Sequence, residues 1–280
     1  MTMSNGAGNY EFRSIEDGKY DVVVRFQRKE VRQRVQISCG PHGAAVVDIV
    51  LDKRATPRLT VHFPVDDPDI ADVSELTRNY PKEAVRNYDK ARDDLRAGDL
   101  VRAAERLRAT LGRAPEFYSA RARLGMVYQT MGCYAEAARE YTMARDLNPR
   151  SVQALVNLGS LYVQAAGASD AVERPLEMAI GILNEAIQRK PTSAIAYCLL
   201  GAAHFKASSY DEAEENFKHA LRIQSRMTAA RLMLANLYMH LEKWEGALEH
   251  LDAYLKENPF AEDHDQVRRI REEVAENFNR

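Results

Sequence analysis

Cysteine is scarce in this 280-residue chain. The three present, Cys39, Cys133 and Cys198, lie far apart and form no CxxC pair. That spacing offers neither a zinc site nor a disulfide framework, so free thiols are expected. Long apolar runs are also missing. The longest, such as "AAVVDIVL", fall far short of the roughly 20 residues that a helix needs to span a bilayer. The opening "MTMSNGAGNY" lacks the basic and apolar regions of a secretory signal. A cytoplasmic location is therefore expected for the chain as it stands, and a periplasmic or exported one if it is a fragment of a longer precursor. Charge of one sign is missing too. The formal net charge is −2, which leaves no global field to draw in DNA or RNA.

Catalytic signatures are absent. The chain contains no GxGxxG, no P-loop pattern, no HExxH and no GxSxG. The seven histidines are scattered. His240 and His250 are not at a ligand spacing, and His204 reads as a satisfied core histidine. His264, among the carboxylates of "AEDHDQ", sits at a helix start, where acids suit the helix dipole. The basic stretch "RFQRKEVRQR" at 25–34 has two readings, a phosphate contact or the solvent face of a β-hairpin, and its alternation favours the hairpin. No catalytic residue, metal site or cofactor is expected, and the chain reads as not an enzyme.

The balance of 45% apolar and 29% charged residues is that of an ordinary folded domain. The character of the chain changes near residue 80. Before it lie short valine-rich runs, "YDVVVRF", "VRQRVQIS", "AAVVDIVL" and "RLTVHFPV", separated by "EDG", "CGPHG" and "KRATP". These predict a small antiparallel β unit over 1–63. Residues 64–82, with three prolines and an acidic cluster, read as a linker, with room for a short helix near Val73 to Thr77. After residue 80 the alanine, leucine, glutamate and arginine content rises and the apolar period becomes helical.

The helical part repeats. Ala103, Ala137, Ala179, Ala213 and Ala247 are separated by 34, 42, 34 and 34 residues. Twelve residues after each stands Pro115, Pro149, Pro191, Ser225 or Pro259. Gly125, Gly159, Gly201 and Ala235 are small residues that let a first helix cross close to a second one carrying the alanine. Leu124, Tyr128 and Tyr141, with their equivalents, fill the flanks of that crossing. The proline stands just past the second helix, which it cannot continue.

With Leu124, Gly125, Tyr128, Ala137, Tyr141, Ala144 and Pro149 in its best copy, the stretch resembles the tetratricopeptide repeat (TPR), a helix–turn–helix unit of 34 residues. The resemblance implies five units over 83–260, stacked because one alone cannot bury its apolar stripe. The first unit is degenerate, with Lys90 and Asp94 at apolar positions. The third carries eight extra residues in "VQAAGASDAVERPLEM". Gly167 is suited to ending its first helix, Ser169 or Asp170 to capping the next segment, and Pro175 to the first turn of the second helix. The insertion reads as a longer projecting hairpin, either inert or a partner contact. Over 261–280, Val267, Ile270, Val274 and Phe278 share one helical face. This segment reads as a capping helix, the competing reading being a partner-binding helix.

A second resemblance covers roughly 8–52. The run "GNYEFRSIEDGKYDVVVRF" and the strands after it look like the end of a carboxypeptidase regulatory-like, prealbumin-type sandwich. Such a module before TPR units resembles a bacterial exported architecture.

The β unit and the all-α TPR solenoid after it together make an α+β chain of two modules, and the TPR resemblance implies that its function is non-catalytic binding of a protein or peptide segment in a concave groove. Carried over copy by copy, the groove residues are Tyr88, Arg92 and Arg96, then Ala122, Met126 and Gln129, then Val156, Ser160 and Val163. Cys198, Ala202 and Phe205 come next, and last Leu232, Asn236 and Met239. The lysine and asparagine clamp of family members that grip a C-terminal carboxylate is absent, so an apolar or helical segment is the expected ligand. The alternative for the lining is packing against the chain's own linker. Two other roles stay open: a structural spacer or assembly subunit that uses β-module pairing, and an accessory subunit of an enzyme or secretion complex.

Overall fold

Helix-forming composition and small residues at fixed intervals build a series of helical hairpins. They are seen in a computed structural model that describes residues 18–26, 29–37, 59, 80–167 and 172–278. The hairpins are α1 (Lys82–Arg96) with α2 (Leu100–Arg113), α3 (Tyr118–Thr130) with α4 (Tyr134–Leu147), and α5 (Val152–Ala165) with α6 (Pro175–Arg189). Two more come after these, α7 (Ala194–Lys206) with α8 (Tyr210–Ile223) and α9 (Thr228–His240) with α10 (Trp244–Glu257), and then α11 (His264–Phe278). Every second helix of a pair ends two residues before its proline, or before Ser225 in the fourth pair.

The turn inside each hairpin repeats as strictly as the alanines. One residue adopts the left-handed conformation in every copy: Gly98, Gly132, Arg174, Ser208 and Glu242. Each stands five residues before the alanine of its repeat, so the eight extra residues of the third unit lie ahead of Arg174. Four of the turns close with the same bond. The N–H of Asp99, Cys133, Ser209 and Lys243 donates to the carbonyl five residues earlier, at 2.8–2.9 Å. That is the wide bond that satisfies the last carbonyls of a helix when the next residue turns left-handed. The third unit ends α5 differently, with Gly167 at φ +80°. Pro175 opens α6, where its missing N–H leaves nothing unsatisfied. Ser169 and Asp170 lie outside the described residues.

The glycines mark the helix crossings. A Cβ added to Gly159 would stand 2.5 Å from Leu183 Cδ2, and one on Gly201 would stand 2.7 Å from the Phe217 ring and 3.1 Å from the Ala213 carbonyl. Leu183 and Phe217 occupy the same repeat position, 34 residues apart, and both are fully buried. Ala103, Ala137, Ala179, Ala213 and Ala247 have no exposed surface at all.

The chain divides into two compact units, one of residues 1–51 and 71–140, the other of residues 52–70 and 141–280. In the first, Ala84, Ala91, Ala103, Leu107, Phe117 and Leu124 belong to one apolar cluster. Tyr80 stacks on the Phe117 ring at 4.1 Å. The degenerate first repeat is explained here. Asp94 stands where an apolar residue is expected, yet its carboxylate is only 12% exposed and accepts from Arg106 Nε across the α1–α2 hairpin. A paired charge replaces an apolar contact, while Lys90 is exposed to solvent.

In the second unit, α11 packs on α10 through Val267, Ile270 and Val274, all buried. Phe278 does not join them. It is 53% exposed at the last turn, so the apolar face of the capping helix is one turn shorter than its spacing suggests. His204 also departs from expectation. It is half-buried, and its buried Nδ1 has no hydrogen-bond partner among the described residues.

Ahead of the helices, β1 (Gly18–Phe26) and β2 (Lys29–Ile37) pair antiparallel, with Gly18 opposite Ile37 and Phe26 opposite Lys29. The basic 25–34 stretch therefore spans a hairpin, as its alternation predicts. Among the described residues no third strand joins this pair. "AAVVDIVL", most of "RLTVHFPV" and the Val73–Thr77 helix lie outside the described residues. The carboxypeptidase regulatory-like reading is not supported: among the described residues the sandwich it requires is represented only by this hairpin. Cys133 is disulfide-bonded, which corrects the expectation of a free thiol at that position. Cys198 is a free thiol and buried.

Candidate peptide-binding face

The first helices of the three later hairpins lie side by side, with direct contacts between α5 and α7 and between α7 and α9. On each, the groove positions are spaced i, i+4, i+7 and so share one face. Val156, Ser160 and Val163 on α5, Cys198 and Ala202 on α7, and Leu232 and Met239 on α9 are buried. Phe205 and Asn236 are half-buried. The lining is thus a floor that is apolar except for Ser160, with one aromatic and one amide as its half-buried side chains. Burial pushes the Cys198 thiol well above its ordinary range, so it stays protonated and is no nucleophile.

Phe205 belongs to an aromatic group with Tyr210 (ring centroids 6.0 Å apart) and His240 (5.7 Å). The His240 Nε2 and Tyr210 hydroxyl lie 2.8 Å apart and fix the outer edge of this group. Lys206, one residue on, donates to the carbonyls of Val163 (2.8 Å) and Ala166 (3.1 Å) and so caps the end of α5.

Asn236 makes the most informative contact. Its Oδ1 accepts from the backbone N–H of Leu59 at 3.0 Å, and its Nδ2 donates to the Leu59 carbonyl at 3.0 Å. Only one orientation of the amide satisfies both bonds. Leu59 itself is 7% exposed. It is 177 residues away in sequence, and no local pattern marks it, so sequence reasoning missed it. An asparagine at a groove position between Leu232 and Met239 was the available signal.

The first unit holds its groove residues differently. The Tyr88 hydroxyl accepts from Arg123 Nε at 2.6 Å, and its ring packs at 4.7 Å from that of Phe117. Tyr88 is therefore committed to the packing of its own unit. Arg96 pairs with Asp93 at 3.1 Å on its own helix, and the Arg92 guanidinium lies 3.9 Å from the Asp89 carboxylate. Met126 is half-buried, while Ala122 and Gln129 are buried.

On α8, Glu214 accepts from Tyr238 at 2.9 Å and from Lys218 at 2.5 Å, with Lys243 at 3.6 Å. Partial burial raises the carboxyl pKa, but the Lys218 and Tyr238 hydrogen bonds and the two ammonium charges outweigh this and hold it below the usual range. The group stays ionised and works as a tie between helices, not as a proton donor. Among the described residues no cluster of three or more His, Cys, Asp or Glu side chains could hold a metal ion. Nor is any described helix long and apolar enough to cross a membrane.

Comparison with known proteins agrees with this architecture. Residues 204–270 match the tetratricopeptide repeat family model, and residues 82–170 match a family of unknown function. The chain is 30% identical over 148 residues to Protein CTR9 homolog of Arabidopsis thaliana, and 27% identical over 104 residues to Heat shock protein STI1 of Saccharomyces cerevisiae. These matches cover 52% and 37% of this chain but only 13% and 18% of those proteins. Among solved structures, TTC0263, a thermophilic TPR protein of Thermus thermophilus, aligns with TM-score 0.58 at 20% identity, covering 70% of this chain and all of that one. PilW, a type IV pilus biogenesis factor, aligns with TM-score 0.60 at 17% identity, covering 71% of this chain and 87% of that one.

Both units are thus built of paired helices, and in the second unit the first helices stand side by side. More particularly, the helices have the tetratricopeptide-repeat solenoid fold. The curated relatives are from a plant and a yeast and do not support a bacterial origin, and neither family match reaches the β-hairpin.

Proposed function

We propose that this protein is a non-catalytic scaffold that binds a segment of another protein on the face formed by α5, α7 and α9. The observation that carries this reading is the Asn236 amide, held on that face with both of its polar atoms on the backbone of a residue from a distant part of the chain. A face able to hold one stretch of backbone has the chemistry to hold another. The apolar floor around it supplies the burial that drives association, and the aromatic edge at Phe205 supplies a large anchor surface.

The variant Phe205→Glu with Asn236→Ala tests the reading in affinity capture from the native source. Capture of the specific partner should be lost while the helical circular dichroism signal is kept. Capture at wild-type level by the folded variant would place the binding site elsewhere. Val163 is a poor choice for such a test, because it is only 3% exposed, and a glutamate there would bury an unpaired charge.

A further inference from the structure

We propose that the face around Asn236 reads an extended, leucine-anchored segment by its backbone, and that the chain's own Leu59 occupies this site, so that a partner must supply a segment of the same kind and displace it. The inference rests on the reading of that face as a binding surface and goes further by naming its present occupant and the chemistry of its ligand.

The geometry argues for an extended ligand. A residue turns its N–H and its C=O toward the same neighbour when its backbone is strand-like, as in the paired residues of an antiparallel ladder. Leu59 gives both groups to one primary amide, each at 3.0 Å. In a helix those groups point in opposite directions along the axis and are spent on the helix itself. An apolar helix could fill the groove but could not satisfy Asn236 in this way. The side-chain amide therefore stands in for one residue of a neighbouring strand, a single unit of strand addition.

Backbone atoms carry no sequence information, so selectivity must come from the side chain. Leu59 supplies it, because its residue is 7% exposed and the positions beside Asn236 on α9, Leu232 and Met239, are buried and apolar. Any ligand then has two requirements to meet. The anchor must be aliphatic to replace Leu59, and it must carry an N–H, which excludes proline at that position. The occupant is local to this unit, since Leu59 and α9 belong to the same compact body.

Cis-occupation weakens binding in trans, since only the fraction of molecules with the site vacant can accept a ligand. A labelled peptide with the sequence of residues 52–70 tests this against the full chain. It should bind Leu59→Asp, in which the internal anchor is spoiled, at least tenfold more tightly than it binds the wild type. Adding Asn236→Ala to that variant, or methylating the peptide nitrogen at the leucine, should remove most of the gain. Equal affinity for the wild type and Leu59→Asp would overturn occupation by Leu59. Full binding of the N-methylated peptide would overturn backbone reading.

Amide hydrogen exchange supplies a measurement that needs no binding. The Leu59 amide should be protected in the wild type and exposed in Asn236→Ala, with α7 and α9 unchanged. Free exchange at Leu59 in the wild type would overturn the proposal whatever the variants do. The two readings fail separately. If the peptide never binds but Phe205→Glu still abolishes partner capture, the occupation by Leu59 falls and the binding face stands. If the peptide behaves as expected while partner capture ignores Phe205→Glu, the face is a latch and the partner binds elsewhere.

Discussion

Gly201 on α7 faces the Phe217 ring and the Ala213 carbonyl of α8 so closely that an added methyl would sit 2.7 and 3.1 Å from them. Neither neighbour gives way easily, because one is a fully buried ring and the other is backbone. Gly201→Ala should therefore cost about 1–3 kcal/mol, the usual range for overpacking a core. The atoms nearest an added methyl in Gly159→Ala all belong to the Leu183 side chain, the first at 2.5 Å, and a leucine can change rotamer. Its cost should be smaller. Thermal melts of the two variants decide the order, and a harmless Gly201→Ala would mean that this crossing is looser than described.

The left-handed turn positions make a second prediction. Gly98 and Gly132 adopt this conformation without penalty, whereas Ser208 at φ 62° and Glu242 at φ 56° carry a Cβ into it. Ser208→Gly and Glu242→Gly should leave stability unchanged or raise it by up to about 1 kcal/mol, and Gly132→Ala should lower it by about 1 kcal/mol. Denaturant midpoints with unchanged slopes would show this. A loss on both glycine replacements would mean that those side chains hold the turns in a way the backbone does not reveal.

These turns also show what the sequence disclosed and what it hid. The alanine frame, the proline stops, the helix pairs and the eight-residue insertion were all legible, because each comes from a residue type with one steric reason to be there. The left-handed series was not, since arginine, serine and glutamate stand in place of glycine in three of its five members. Asp94 looked like decay of the first repeat because its partner Arg106 is on the next helix. The positions expected to line a groove on α5, α7 and α9 do share one face of each helix, as their register implies, but how deeply each is buried was not legible. The contact between Leu59 and Asn236 joins residues with no shared period. Packing of the lining on the chain's own linker came close as an expectation, yet Leu59 precedes the stretch that reads as linker.

Deleting residues 166–173 should leave the third hairpin folded. The deletion keeps Arg174 at its left-handed position and Pro175 at the start of α6. It removes the Ala166 carbonyl that accepts from Lys206 while sparing the one at Val163. The loss should be no more than about 1 kcal/mol, the net worth of one hydrogen bond. Loss of cooperative melting would show instead that the inserted residues belong to the core.

Acid should weaken the second unit before carboxylates begin to titrate. Burial holds the His250 pKa below its ordinary value of 6.5. Its Nδ1 is buried without a hydrogen-bond partner among the described residues, and its ring stacks on Tyr238. A depressed folded pKa favours the neutral form in the native state. The stabilisation is therefore present above about pH 6.5 and is lost as the pH falls through the folded value. The melting temperature should fall between pH 7 and pH 5.5, and His250→Phe should flatten that slope. Glu214 responds in the same direction but only below its ordinary value of 4.5, outside that window. An identical slope in His250→Phe would assign the effect to another group.

The most direct test of the binding face is site-specific photo-cross-linking in the native source, with a benzophenone amino acid placed at Phe205 on the α7 groove face or at Glu215, an exposed residue of α8. The expected result is a defined adduct from position 205, lost on adding Asn236→Ala, with only background from position 215. Equal adducts from both positions, or a defined adduct from position 215 alone, would contradict binding at this face.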